Sequence, residues 1–205
     1  MCSLQEEAFE LAYKLACEQL ARIDDIEEQC RNHGARLDSN RIIIEYLNRS
    51  YLITLRDTEI SLIGSDEQVP LKDKILILHY LTSTKSTPAG NKLITFKQLP
   101  GVASYFPVFF QRAIKPLLNR FGKEPQLLVA SAAKLGGRRA NYGDVSVTIN
   151  AFPRVPITFV LWQGDEEFAP NGSIMFESTI CDYLSSEDIT ILCETIAWKL
   201  VNFRR

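Results

Sequence analysis

Three consecutive carboxylates, Asp165, Glu166 and Glu167, follow Trp162-Gln163-Gly164 and precede Phe168. The run before them, Val155 to Leu161, is apolar and reads as a buried strand, so the acids are delivered together at a strand end where Gly164 can turn the chain. Carboxylates so placed could transfer protons, hold a hard cation or pair bidentately with an arginine such as Arg112 or Arg154. Trp162 could wall a pocket beside them. Adjacent acids also repel, and a solvated charged turn is the bland alternative. His79 sits inside Ile77-Leu78-His79-Tyr80-Leu81 and must find a hydrogen-bond partner or stay neutral there. His33, beside Gly34 in a polar break, reads as a surface loop residue. Gly136-Gly137-Arg138-Arg139 combines glycines that permit positive backbone angles with two cations, a pattern suited to an anion and equally to a helix end.

No companion motif names a reaction. Neither a nucleophile elbow nor a phosphate-binding glycine loop occurs, and the cysteines Cys2, Cys17, Cys30, Cys181 and Cys193 have no metal-ligand spacing. They read as reduced structural thiols. The chain has 205 residues, 46% hydrophobic and 23% charged, with a net charge of −2. That balance suits a soluble globular protein and gives no electrostatic ground for nucleic acid. No apolar stretch reaches the roughly 20 residues that span a bilayer, and the start lacks a signal-peptide pattern, so a cytoplasmic protein without a membrane partner is expected.

The elements that must position these residues follow from hydrophobic period. Leu4 to about Cys30 repeats apolar residues at steps of three and four, predicting one amphipathic helix with Ser3 and Glu6 as a capping box and a solvated acidic outer face. Ile42–Leu47, Tyr51–Leu55 and Ile60–Ile63 predict a small antiparallel meander. Leu71–Leu81 predicts a helix behind Pro70, with a strand as the alternative because Ile75–Leu78 is short and wholly apolar; Thr82–Asn91 predicts a mobile loop and Lys92–Phe96 a short strand. Two helices follow, about 104–121 with Pro116 expected to kink or split it, and about 125–135. Asp144–Asn150, Val155–Leu161 and Ile174–Phe176 predict strands. A closing helix runs from Glu187 to about Phe203, begun by Ser185 or Ser186, with Lys199, Arg204 and Arg205 suiting its dipole. The fold class expected is α+β: N-terminal helix, small antiparallel meander, central helices, then C-terminal antiparallel sheet and closing helix. One domain over 1–205 is expected, or one domain with the first helix, about 4–30, packed as an appendage.

One ordered series runs through the chain: Leu78-His79-Tyr80-Leu81, Ile94-Thr95-Phe96, Leu99-Pro100-Gly101, Phe109, Arg112, Pro116-Leu117, Phe121-Gly122, Leu135-Gly136-Gly137, Gly143-Asp144, Pro153-Arg154 and Leu161 to Phe168. In that order and spacing the chain resembles the domain of unknown function 3786 family. The family has no established activity. The resemblance implies strict-anaerobe metabolism and, through members fused to an iron–sulfur domain like that of corrinoid-dependent methyl-transfer proteins, a corrinoid or one-carbon link by association. This chain lacks a clustered cysteine motif, so cluster binding is not carried over. Val102-Ala103 and Ala169-Pro170 also depart from the family pattern.

The resemblance implies His79, Arg112, Asp144, Arg154, Trp162, Asp165, Glu166 and Glu167 as recurring polar positions. Several of them are expected to converge on one cleft between the C-terminal sheet and the central helices. There the two arginines would hold an anionic group and Trp162 would pack on a flat ligand. Two functions remain, a small-molecule or corrinoid-type binding or accessory protein, or an enzyme using Asp165 or Glu166 as general acid and base with His79; a scaffold whose charged turn only braces the fold is the bland third. Cofactor, ligand and oligomeric state are not legible.

Overall fold

A computed structural model describes residues 2–203 except 86, 88, 89 and 91, with side chains described from residue 6. The Ser3 cap, Cys2 and the Arg204–Arg205 end lie outside those side chains or residues, as does part of the Thr82–Asn91 loop. The expected first helix is two: α1, Cys2–Ala21, and α2, Ile26–His33. Asp25 ends the continuity, because its carboxylate caps α2 by accepting from the Glu28 amide at 2.8 Å. Gly34 closes α2 with φ of 68°. Ala16 and Leu20 of α1 enter the core against α3, Leu71–Thr82.

Between them lies an antiparallel meander in the order β1-β2-β3-β4: Arg36–Asp38, Arg41–Tyr46, Arg49–Thr54 and Ile60–Leu62. Its alternate residues Ile42, Ile44, Tyr46, Tyr51 and Ile53 face the core, the period-two pattern of a half-buried sheet. After β5, Leu93–Thr95, comes one continuous helical rod of changing pitch. It comprises α4, Phe106–Phe109, a π turn over Phe110–Ile114, and α5, Lys115–Phe121. The Lys115 amide donates to the Phe110 carbonyl, five residues back. Pro116 has no N–H to give, and the wider turn before it lets the helix run on where a kink was expected.

α6, Gln126–Ala133, then leads to β6, Arg138–Ala140, β7, Val145–Phe152, β8, Val155–Trp162, and β9, Asn171–Glu177. They form an antiparallel sheet in the order β5-β9-β8-β7-β6. The two edge strands were not expected as its members. α7, Ile180–Tyr183, and α8, Ser186–Asn202, finish the chain. Ser185 and Asp188 cap α8 reciprocally. The fold class is therefore the α+β arrangement expected from the sequence.

A column of rings joins the layers. Phe152 stacks on Tyr80 at 4.3 Å and on Tyr46 at 4.9 Å, Tyr80 stacks on Tyr183 at 5.7 Å, and His33 meets Tyr80 edge-on at 5.3 Å. His33 is thus buried, not a surface residue. Its Nδ1 donates to the Gln29 carbonyl at 2.8 Å, which leaves Nε2 to accept from Ser83 Oγ at 2.7 Å. Burial lowers its pKa and keeps the ring neutral.

Candidate functional site

The sequence-expected residues do not meet in one cleft. Asp165 Oδ1 accepts from the Glu167 and Phe168 amides at 2.9 and 2.7 Å, so it folds its own loop. Glu166 and Glu167 are exposed, Trp162 is 41% exposed and Phe168 69%. Asp144 Oδ2 accepts from the Gln163 amide at 2.8 Å and ties this loop to the β7 start. Among the described residues no ion pair joins these acids to Arg112, Arg154 or His79. Arg154 lies by the ring column instead, its backbone amide donating to Tyr80 Oη at 3.2 Å.

His79 is partnered elsewhere too. Its Nδ1 donates to Asp188 Oδ1 at 2.7 Å, pinning α3 to the first turn of α8. Asp165 and Glu166 lie in the connection between β8 and β9, and among the described residues neither makes a hydrogen bond or ion pair with His79. The Gly136 and Gly137 amides donate to the Ala133 and Ala132 carbonyls at 3.1 and 2.8 Å, closing α6. They are therefore spent, and Arg138 and Arg139 are exposed on the edge strand β6. Glu166→Ala is expected to leave stability within ~0.5 kcal/mol, whereas Asp165→Ala should lose ~1 kcal/mol with its turn bonds, read by urea denaturation.

A different set of residues builds a groove along α8. The apolar stripe Ile189, Leu192, Cys193, Ile196, Ala197 and Leu200 buries one face of that helix, which leaves Ile191, Glu194, Thr195 and Trp198 on the other. The β2–β3 turn supplies Leu47, the β3 start Arg49, and the α3 start Lys72 and Asp73. Gly136 sets the width of one wall. At φ of 68° it lets Asn48 approach so closely that a Cβ would sit 2.8 Å from that side chain, which holds the α6 end, with Lys134 and Leu135, against the turn.

The groove has two lobes. One, of about 690 Å³, is lined among others by Tyr51, Lys134, Trp198 and Phe203; the other, of about 410 Å³, by Phe9, Tyr105, Arg112, Ser186 and Thr190. Lys72 and Ile191 belong to both walls. These volumes match those that hold small molecules, ~300–1,000 Å³. Trp198, at 48% exposure, lies off the buried stripe of its helix.

Buried Asp73 anchors the floor. Its Oδ1 accepts from Tyr46 Oη at 3.0 Å and its Oδ2 lies 3.7 Å from Lys199 Nζ. Burial raises its pKa, against the Lys199 charge and the Tyr46 hydrogen bond. Cations outnumber acids on the lining: Arg49, Lys72, Lys134, Lys199 and Arg112 against Asp73, Glu194 and Glu187. Arg49 pairs outward with Glu67 at 2.8 Å, while Lys72 stands over the Phe9 ring at 5.3 Å. The chain as a whole is acidic, so this excess is local. Among the described residues no group of three or more His, Cys, Asp or Glu is placed to hold a metal ion.

Of this groove, sequence reasoning had Arg112 on the lining and Gly136 behind one wall. A tryptophan standing off its helix's apolar stripe was the available signal for Trp198. Asp73 beside an apolar run was the signal for the floor. Neither spacing names its partner, since Tyr46, Asp73 and Lys199 come from three separate elements.

Fold and groove together define an α+β protein with an open, cation-rich cleft against its last helix. The family model described as Domain of unknown function (DUF3786) matches residues 25–198, and the chain belongs to that family. No curated protein and no solved structure matches it. Nor, among the described residues, is any helix long and apolar enough to cross a membrane.

Proposed function

We propose that the chain is a small-molecule-binding protein whose ligand lies in the two-lobed groove along α8. The observation that carries this reading is the local cation excess around aromatic walls in a cavity of ligand size. Binding is preferred to turnover because Asp73 and Glu194, the acids of the larger lobe, are both paired with cations, and Lys72 stands over the Phe9 ring. The ligand proposed from the groove is anionic with a flat apolar part; a corrinoid-type ligand is suggested by the family association and not by the groove. The setting proposed is the cytoplasm of an anaerobe, as an accessory protein of its metabolism.

The test is purification from an anaerobic host followed by native mass spectrometry. The expected result is a retained mass on the wild-type chain that is lost from Lys72→Glu at unchanged melting temperature. Lys72 is exposed and has no ion pair within 4.0 Å among the described residues, so the charge reversal acts on the groove and not on the core. A retained mass that survives Lys72→Glu, or none in either protein, would count against the reading.

A further inference from the structure

The two lobes are divided by an ion pair. Arg112 faces the smaller lobe and Glu194 the larger, and the guanidinium and carboxylate meet at 2.6 Å. Arg112 has a second polar contact inside that lobe, its other terminal nitrogen lying 3.4 Å from Tyr105 Oη. The π turn at Phe110–Ile114 sets the register that brings it there. Glu194 has no comparable second hold: Arg112 is its ion-pair partner among the described residues, and it sits in the open helix face beside Thr195 and Trp198. Arg112 thus has two polar partners and Glu194 one, although Glu194 is the less exposed of the pair (side-chain exposure 22% against 40%).

We propose that the ligand is an aromatic or similarly flat carboxylate whose carboxylate displaces Glu194 from Arg112. Its ring then lies toward Trp198 in the larger lobe, while Lys72 on the shared wall faces its charge. Glu194 acts as a built-in competitor, a stand-in for the ligand that keeps Arg112 neutralised when the groove is empty. An incoming neutral molecule gains nothing by displacing it, so the pair selects for anions as well as blocking the divide. This inference rests on the groove reading above and adds to it the ligand class and the residue that competes with it.

The probe is 3-nitrobenzoate, titrated calorimetrically into wild type, Glu194→Gln and Arg112→Gln, with 3-nitrobenzyl alcohol as the neutral control. Glu194→Gln is expected to bind the carboxylate about threefold to tenfold more tightly than wild type, because the competitor's charge is gone. Arg112→Gln should bind about tenfold more weakly, and the alcohol should not respond to Glu194→Gln. Melting curves confirm that both variants fold. Equal or weaker binding by Glu194→Gln overturns the exchange and leaves the groove reading intact, provided wild type binds. Absence of binding by wild type and Glu194→Gln alike overturns both.

Discussion

Replacing Phe152 by alanine is expected to lower the unfolding free energy by about 3–5 kcal/mol, the cost of emptying a buried aromatic site. The ring is 1% exposed and lies between Tyr46 and Tyr80, at the point where the two sheets approach and the Leu47 amide donates to the Ala151 carbonyl at 3.0 Å. Its loss leaves Tyr46 without the surface it stacks on. Tyr46 Oη is a donor to Asp73, so the groove floor should loosen as well. Urea denaturation measures the first effect. The second appears as weaker probe binding under conditions where the variant remains folded. Phe152→Leu refills most of the space and should recover a large share of both. A loss below ~1 kcal/mol in Phe152→Ala would show that the ring column does not join the layers as described.

Asp188→Asn is the second large effect, expected at about 2–3 kcal/mol near pH 6, because it removes one charge of a largely buried pair while keeping an oxygen for the cap. The pH dependence has a definite sign. Hydrogen bonding to Asp188 raises the His79 pKa above its ordinary 6.5, against the opposing effect of burial. That contribution is complete below ~6.5 and is lost as pH rises through the raised folded-state value. Burial pushes the Asp188 pKa up, but the hydrogen bonds from His79 and Ser185 outweigh it and leave it lowered from 3.8. Its contribution is present above ~3.8 and is lost as pH falls through the lowered value. The pair therefore stabilises most between about pH 4 and 6.5, and the gap between wild type and Asp188→Asn should narrow toward pH 9. A gap that stays constant from pH 6 to 9 would mean that His79 does not titrate as part of the pair.

The elements were legible wherever one hydrophobic period ran undisturbed. The α3 helix, the β2–β4 runs, the β7 and β8 strands and the α8 stripe follow from residue types at fixed spacing, while spacing left the α8 cap open between Ser185 and Ser186. The misreadings share one cause, a local residue whose effect depends on a partner distant in sequence or on geometry between standard classes. Asp25 reads as one more acid on a helix face, yet its carboxylate starts a new helix. Pro116 reads as a break, yet a π turn absorbs it. His33 reads as exposed because Asn32 and Gly34 flank it, while its neighbours in space are Tyr80 and Tyr183.

The candidate site was harder to read for the same reason. Three adjacent acids draw the eye because sequence displays neighbours, but adjacency along a chain is not convergence in space. Asp165 uses its oxygen on its own loop, whereas the groove joins Arg49, Lys72, Arg112 and Lys199 from four separate segments. Charge pairs of that kind leave no motif. The two tryptophans turn this into a direct choice between sites, since Trp162 borders the acidic loop and Trp198 the groove.

Fluorescence quenching by 3-nitrobenzoate, measured on Trp162→Phe and on Trp198→Phe, puts that choice to one experiment. With Trp198 as the remaining reporter, quenching should saturate with ligand concentration and weaken in a Lys72→Glu background. With Trp162 as the reporter it should rise linearly, as simple collisions require. Saturation at Trp162 with only linear quenching at Trp198 would move the binding site to the acidic loop and contradict the groove.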